Sequence, residues 1–363
     1  MDVSFWKGKR VFVTGHTGFK GGWLSLWLQS MGAEVMGYSL KPNTQPNLFE
    51  LANIAGGMTS VIGDVRVLDS LKQTVTNFGP EIVFHLAAQP LVRESYKDPV
   101  NTYTTNVMGT VNLLEAVRQT ETVRAVVNIT SDKCYENREW VWGYRETEPL
   151  GGYDPYSSSK ACAEIVAAAY RSSYFNHSIP GSSVALATAR AGNVIGGGDW
   201  SVDRLVPDCL RAFQAGLPVK LRSPDAVRPW QHVLEPLSGY ILLAERLMSN
   251  QSYRYTSGWN FGPDDRGDAT VGEVAKTIAH LWGDKAQVEV DDSKNQPHEA
   301  GLLRLDITRV RTELKWNPQW NVKQALQATV DWHRAWMGGQ DMHEYSLSQI
   351  ATYEKTQSQV NVA

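Results

Sequence analysis

Arg10 to Gly21 reads RVFVTGHTGFKG, five residues of buried-strand character running directly into three glycines, Gly15, Gly18 and Gly21, which open an apolar segment from Phe19 to Met31 with amphipathic character. Strand, glycine turn and helix in that order are the arrangement that binds a dinucleotide. The glycines let the backbone turn sharply and approach a pyrophosphate, whose charge is favoured by the free N–H groups and dipole of the helix N-terminus. Three glycines alone mark ordinary turns just as often; the strand before and the helix after distinguish this case.

Outward from this turn, the first half of the chain alternates short apolar runs with longer helical segments. Glu34 to Ser39, Thr59 to Ile62, Glu81 to His85, Ala125 to Thr130 and Val184 to Arg190 read as further strands, and Asn101 to Arg118 and Tyr156 to Tyr174 as the strongest helices of this half. Such alternation predicts an α/β fold, a doubly wound parallel Rossmann sheet, with a smaller C-terminal α/β substrate domain. The expected division is residues 1–190 plus a returning segment near 229–258 for the dinucleotide domain, 191–228 and 259–340 for the substrate domain, and a polar, poorly ordered tail at 346–363. Later helices are expected at Asp203 to Ala215, Val233 to Met248 and Thr270 to Trp282, the last with Thr270 and Glu273 at capping-box spacing.

Composition narrows the function. A chain of 363 residues with net charge −3 gives no general electrostatic reason to bind nucleic acid or an acidic membrane. No stretch reads as a transmembrane helix or a secretion signal, which leads us to expect a cytoplasmic protein. The three cysteines, Cys134, Cys162 and Cys209, are odd in number and widely spaced, which argues against a disulfide framework. The eight histidines show no paired metal-ligand spacing, so no catalytic metal is expected. The thirteen tryptophans are expected mainly in cores, with Trp200 and Trp230 the two considered for a pocket.

Tyr156 and Lys160, in YSSSK, stand four residues apart and so share a helix face, where a lysine ammonium can favour the ionised phenol and make Tyr156 a usable base. Tyr-x-x-x-Lys is also common on solvated helices; after a cofactor turn and parallel strands the catalytic reading is preferred. A hydroxyl, a carboxyl and an amine stand nearby in sequence as Ser131, Asp132 and Lys133.

With these come HLAAQ (His85 to Gln89), NVMGTVNLLEA, RAGNVIGGGD (Arg190 to Asp199) and WNFGPD (Trp259 to Asp264). In this order and over nearly all its length the chain resembles the extended short-chain dehydrogenase/reductase family, most of all its nucleotide-sugar 4,6-dehydratase branch. That branch usually carries Thr-Asp-Glu after the fifth strand, where this chain has Ser131, Asp132 and Lys133. The resemblance implies a lyase in which Tyr156 is the base at the sugar O4, Ser131 lies near O4, Lys160 holds the cofactor ribose, Asp132 is the acid at O6 and Lys133 replaces the carboxylate base at C5. Lysine there implies CDP-glucose as substrate and CDP-4-keto-6-deoxyglucose plus water as products, feeding deoxysugars of surface polysaccharide such as lipopolysaccharide O-antigen. A UDP-sugar dehydratase, an epimerase or dehydrogenase on another nucleotide sugar, and a non-catalytic dinucleotide sensor are the alternatives.

The implied cofactor is NAD, held by Gly15, His16, Thr17, Gly18, Phe19, Lys20, Gly21, Ser39, Asp64, Val65, Leu86, Ala87 and Ala88 together with Tyr156 and Lys160. Ser39 and Lys41 stand where an acidic residue normally binds the adenosine ribose, which leaves NADP open. Asp64 is alternatively a strand-end turn residue. For the substrate the resemblance implies Asn193, Arg204 and Arg228, with Gln89 and Arg304 weaker; arginine suits phosphate because its fork binds two oxygens at once. It also implies a homodimer built on a four-helix bundle, through helix faces that include Val107, Val111, Leu114, Ile165 and Ala169.

Overall fold

In the computed structural model the described residues are 2–176, 184–264, 268–283, 286–291 and 301–360. Seven strands form one sheet: β1 (Arg10–Thr14), β2 (Glu34–Ser39), β3 (Thr59–Ile62), β4 (Ile82–His85), β5 (Ala125–Ile129), β6 (Ala185–Ala191) and β7 (Gly258–Phe261). Their spatial order is β7-β6-β5-β4-β1-β2-β3, every neighbouring pair parallel. The order reverses between β1 and β4, where Thr14 pairs with His85. Chain connections leave in opposite directions from such a point, opening a crevice at the carboxyl ends of the strands. Helices cover both faces, so β1, β4, β5 and β6 are apolar almost throughout and buried.

β7 was not among the strands expected from sequence. Its residues, GWNF, form no apolar run because of Gly258 and Asn260, and they carry the returning segment three residues past the expected boundary, to Phe261.

The helix Phe19–Ser30 departs from the expected amphipathic pattern, because residues 21–28 are all buried. Its outer side is covered by the C-terminal helix Met342–Val360. There Trp27 meets the Tyr353 ring edge-on at 5.8 Å and donates to Glu354 at 2.8 Å. That contact also corrects the poorly ordered tail expected at 346–363. Ser346, Ile350 and Tyr353 are buried, and the Tyr353 hydroxyl donates to the buried Glu235 carboxylate at 2.7 Å. The segment looked polar because only a narrow stripe of it is inside; residues 361–363 lie outside the described residues.

Asn101 to Arg118 is helical as expected but contains a wide turn, Thr104–Met108, between Pro99–Tyr103 and Gly109–Arg118. A widened turn of this kind displaces a side chain without ending the helix. Here Asn106 accepts from the Gln89 N–H at 2.8 Å and donates to Ser159 at 2.9 Å, tying the loop after β4 to the helix Pro155–Ser173. Among the positions expected on a dimer face, Leu114 is wholly buried in the monomer core with Leu113 and Leu71. Ile165 and Ala169 are exposed, Val107 and Val111 half-buried.

A second, smaller core gathers Val206, Leu210 and Phe213 of the helix Leu205–Gln214, Val274 and Ile278 of Val271–Trp282, and Leu326 and Val330 of Val322–Met337. The expected capping box is present, Glu273 and Thr270 each accepting the other's backbone N–H. No helix among the described residues is long and apolar enough to cross a membrane.

Candidate active site

The glycine turn is shaped by close approach. Gly15 has φ +77°, and a Cβ there would lie 2.8 Å from the Ala87 nitrogen; one at Gly21 would lie 2.1 Å from the Gly15 carbonyl oxygen. Thr14 Oγ1 accepts from the N–H groups of both Leu86 and Ala87 at 3.1 Å, clamping the end of β1 to the loop that ends in Ala88. Gly18 instead faces outward as the N-cap of its helix, with no side chain capping the first turn. Free N–H groups beside a surface without side chains fit a pyrophosphate.

Around that turn Thr17 Oγ1 meets Ser39 Oγ at 2.8 Å and donates to the Leu40 carbonyl. His16 points into the fold, its Nε2 2.7 Å from Ser60 Oγ and its ring edge-on to Phe49, and burial holds its pKa down at about 4. Asp64 is gripped by its neighbour Arg66, whose Nε and Nη2 both donate to the carboxylate, while Val65 is buried and its carbonyl accepts from Asn112. Partly buried Lys20 faces the crevice, where burial and the nearby Arg204 push its ammonium down to about 7.

Beyond the turn, a cavity of about 630 Å³ is lined by Lys20, Ser131, Asp132, Lys133 and Tyr156 together with Asn193, Arg204, Arg228 and Trp230. Ser131 caps the short turn Asp132–Cys134 that follows β5. Its hydroxyl donates to Asp132 Oδ1 at 3.0 Å and accepts from the Lys133 N–H at 3.2 Å. Asp132 Oδ2 is buried without a partner among the described residues. It has room because residue 192 is glycine: a Cβ on Gly192 would lie 1.8 Å from that oxygen.

Tyr156 and Lys160 lie on one helix as expected, but their electrostatics differ from the expectation. Lys160 Nζ donates to the Ile129 carbonyl at 3.2 Å, and burial lowers its pKa to about 8 against the pull of Glu164. Burial pushes Tyr156 up to about 12; the nearby Ser131 hydroxyl opposes this, and the cation that favours the phenolate is Arg204 rather than Lys160.

Beneath these groups lies a buried network that no motif reading singled out. Glu164 accepts from Thr130 at 2.5 Å, Thr188 at 2.7 Å, and Arg190 Nε and Nη2 at 2.9 and 2.8 Å. Arg190 Nη1 donates to Tyr135, which donates to Asn260. The ends of β5, β6 and β7 and the helix bearing Tyr156 are thereby joined. Its sequence signal was Glu164, one turn beyond Lys160, and the arginine that opens RAGNVIGGGD.

Of the residues expected around substrate, Arg204 is paired with Asp199 at 3.1 Å, Asn193 has φ +37°, and Arg228 is buried with Nη1 2.9 Å from the Val227 carbonyl. Gln89 and Arg304 are not brought to the cavity. The Gln89 amide is spent on Leu91 and Thr102, and Arg304 donates to the Val141 carbonyl. Trp230 lines the cavity wall, whereas Trp200 packs on Trp332 and Trp336.

The chain is similar in sequence and fold to known proteins. CDP-glucose 4,6-dehydratase of Salmonella typhimurium is 55% identical over 354 residues, covering 97% of this chain and 98% of the relative. Among solved structures, dTDP-glucose 4,6-dehydratase from Bacillus anthracis in complex with NAD superimposes with a TM-score of 0.74 at 23% identity, over 90% of this chain and 97% of that one. UDP-glucose 4-epimerase of Thermus thermophilus in complex with NAD gives 0.76 at 25% identity, over 90% and 99%. The sequence profile described as GDP-mannose 4,6 dehydratase matches residues 12–329, from β1 into the helix Val322–Met337, and so takes in the glycine turn and every side chain named around the cavity: the chain belongs to the GDP-mannose 4,6-dehydratase family.

Proposed function

We propose that the protein is an NAD-dependent lyase that converts CDP-glucose to CDP-4-keto-6-deoxyglucose and water. The observation that carries this reading is the placement of a phenol, a carboxyl and an amine, Tyr156, Asp132 and Lys133, in the lining of one cavity that Lys20 of the glycine turn also lines, in a chain 55% identical to a CDP-glucose 4,6-dehydratase. An oxidation at C4 needs only the phenol. The acid and the base are needed for elimination.

Bound at the glycine turn, NAD supplies an acceptor and later a donor of hydride. Gly15 and Gly21 let the turn pack tightly, Gly18 leaves room for its pyrophosphate, and Lys160 holds its ribose. Tyr156 takes the proton from O4 with Ser131 alongside. The resulting 4-ketone acidifies the C5–H bond, and Lys133 removes that proton while Asp132 protonates O6, which leaves as water; Lys133 then returns a proton to C5. Arg204 and Arg228 hold the diphosphate, and Asn193 lines the same cavity. A general base or acid in such a step contributes about 10²–10⁴-fold.

Exposed Ile165, with Tyr103 and Met108 on the neighbouring helical run, supports a homodimer through these helix faces. Sedimentation of a single monomeric species at micromolar concentration would refute it.

Mass spectrometry of CDP-glucose, UDP-glucose and dTDP-glucose incubated with the protein and NAD tests the function. Loss of one water from the CDP-sugar, faster than from the others, is expected; an isomer of unchanged mass would instead indicate an epimerase.

A further inference from the structure

We propose that Asp203 is a positioning residue that closes the cavity over the sugar nucleotide, bridging Arg93 on the side of the seven-stranded sheet and Arg222 on the side of the second core. This rests on the dehydratase reading, which gives closure a purpose. Hydride taken from C4 has to return to C6 of the same sugar, so a ketone that leaves between the two transfers stops the cycle halfway.

The three charges come from separate parts of the chain. Arg93 lies in the short helix Val92–Lys97 that follows β4, Asp203 stands two residues before the helix Leu205–Gln214, and Arg222 directly follows the strand Val219–Leu221. That later helix and that strand both pack in the second core. Asp203 Oδ1 is 3.7 Å from Arg93 Nη1 and 3.6 Å from Arg222 Nη1, so one oxygen faces two cations. All three residues line the cavity. The side chains of Arg93, Asp203 and Arg222 are 33%, 39% and 24% exposed, whereas Ser131 and Asp132 in the same lining are buried. The charges therefore stand toward solvent and the reacting groups deeper in.

The backbone suits this placement. Asp203 has φ +59°, in the left-handed region that Asp and Asn enter more readily than other side-chain-bearing residues. At the other end of the same short segment Asp199 accepts from the Ser201 N–H at 3.0 Å and from Arg204 Nη1 at 3.1 Å. Anchoring Asp203 thus also steadies its neighbour Arg204, the residue assigned to the diphosphate.

Magnitudes favour a latch over a fixed strut. Both separations exceed the roughly 2.7–2.9 Å of a charge-assisted hydrogen bond, and partly exposed ion pairs are individually weak. A closure that has to open at every turnover needs such contacts; a buried two-pronged pair like Arg190 with Glu164 would hold it shut.

Release is to be measured without turnover. Holoenzyme is loaded with CDP-4-deoxyglucose, which has no hydroxyl to oxidise at C4, and its departure into excess CDP is followed by stopped-flow protein fluorescence. Asp203→Asn keeps the backbone preference and removes the charge; at low salt it is expected to release the sugar nucleotide about tenfold faster than wild type, and Arg93→Gln, which loses one of the two pairs, about threefold faster. Raising salt to about 0.5 M screens the exposed pairs, so the gap between wild type and the variants should close. With CDP-glucose both variants should shed CDP-4-ketoglucose into solution, detected by mass spectrometry. Wild-type release rates in the two variants would overturn the proposal. So would a gap that persists at high salt, which would place the effect in the shape of the loop instead of its charge. Wild-type protein that removes no water from CDP-glucose is a separate failure, that of the dehydratase reading.

Discussion

Arg190 and Glu164 form a two-pronged ion pair, Nη2 to Oε2 at 2.8 Å and Nε to Oε1 at 2.9 Å, with side chains only 5% and 4% exposed. The pair lies directly under the turn that carries Ser131, Asp132 and Lys133, because Glu164 also holds Thr130. All four donors to the Glu164 carboxylate come from β6 and the residue that follows β5, so the pair joins the helix bearing Tyr156 to the sheet.

Removing one partner leaves the other charge buried and unpaired. Arg190→Met is therefore expected to cost about 3–5 kcal/mol of stability, far more than loss of an exposed ion pair such as Arg118 with Glu115. Urea unfolding of the two variants, Arg190→Met and Arg118→Met, gives the comparison; similar small losses would contradict the role assigned to the network.

Lys133 acts after oxidation in the proposed reaction. Lys133→Met is expected to bind CDP-glucose and oxidise it at C4, yet to lose about 10²–10⁴-fold in elimination. Rapid quench should then find a CDP-4-ketohexose that has kept its O6. In heavy water the wild-type product should carry deuterium at C5. Water loss at the wild-type rate from Lys133→Met would remove lysine from the base role.

Gly192 tests the placement of the acid. Gly192→Ala puts a methyl group where Asp132 Oδ2 now lies, 1.8 Å from the oxygen, so the carboxyl has to swing away. Elimination should fall by about 10²-fold or more, toward the level of Asp132→Asn, while nucleotide affinity measured by calorimetry changes little. A variant with normal turnover would show that the observed carboxyl position is not the working one.

Glu235 makes stability depend on pH. Burial raises its pKa from 4.5 to about 7, although the N–H groups of Gln319 and Trp320 and the Tyr353 hydroxyl all donate to it and pull the other way. A carboxyl raised on folding is favoured while protonated, so its contribution is fully present below about pH 4.5 and is lost as pH rises toward 7. The change is roughly 3 kcal/mol across that window, at 1.36 kcal/mol per unit. Glu235→Gln should abolish this dependence. The check is the wild-type-minus-variant stability from urea titrations at pH 5 and pH 8; a difference that does not change with pH would contradict it.

The strands β1, β2 and β3 begin and end at the residues expected from sequence, and the crevice at their carboxyl ends holds the glycine turn. β1 shows the apolar run that a strand covered by helices on both faces needs, a signal that requires no tertiary information, whereas the edge strand β3 is half-exposed. β7 escaped notice because Gly258 and Asn260 interrupt it, so that it forms no apolar run. The helix Phe19–Ser30 was taken for a half-exposed one because nothing local announces that a distant C-terminal helix will cover it.

What the sequence determined by itself was the order of the parallel elements, the glycine turn, and the chemical types assembled near it: Ser131, Asp132, Lys133, Tyr156 and Lys160. These depend on residue spacing and side-chain identity, which folding does not alter. The tertiary structure alone decided which of them interact. It turned Lys160 to the Ile129 carbonyl and left Arg204 as the cation acting on the phenol. It put Leu114 in the core and Trp200 against Trp332, kept Gln89 and Arg304 from the cavity, and aimed Asp132 Oδ2 past Gly192. The physical reason is that pKa values and contacts depend on burial and on distances of a few ångströms between residues remote in the chain, and those distances exist only once the helices have packed on the sheet.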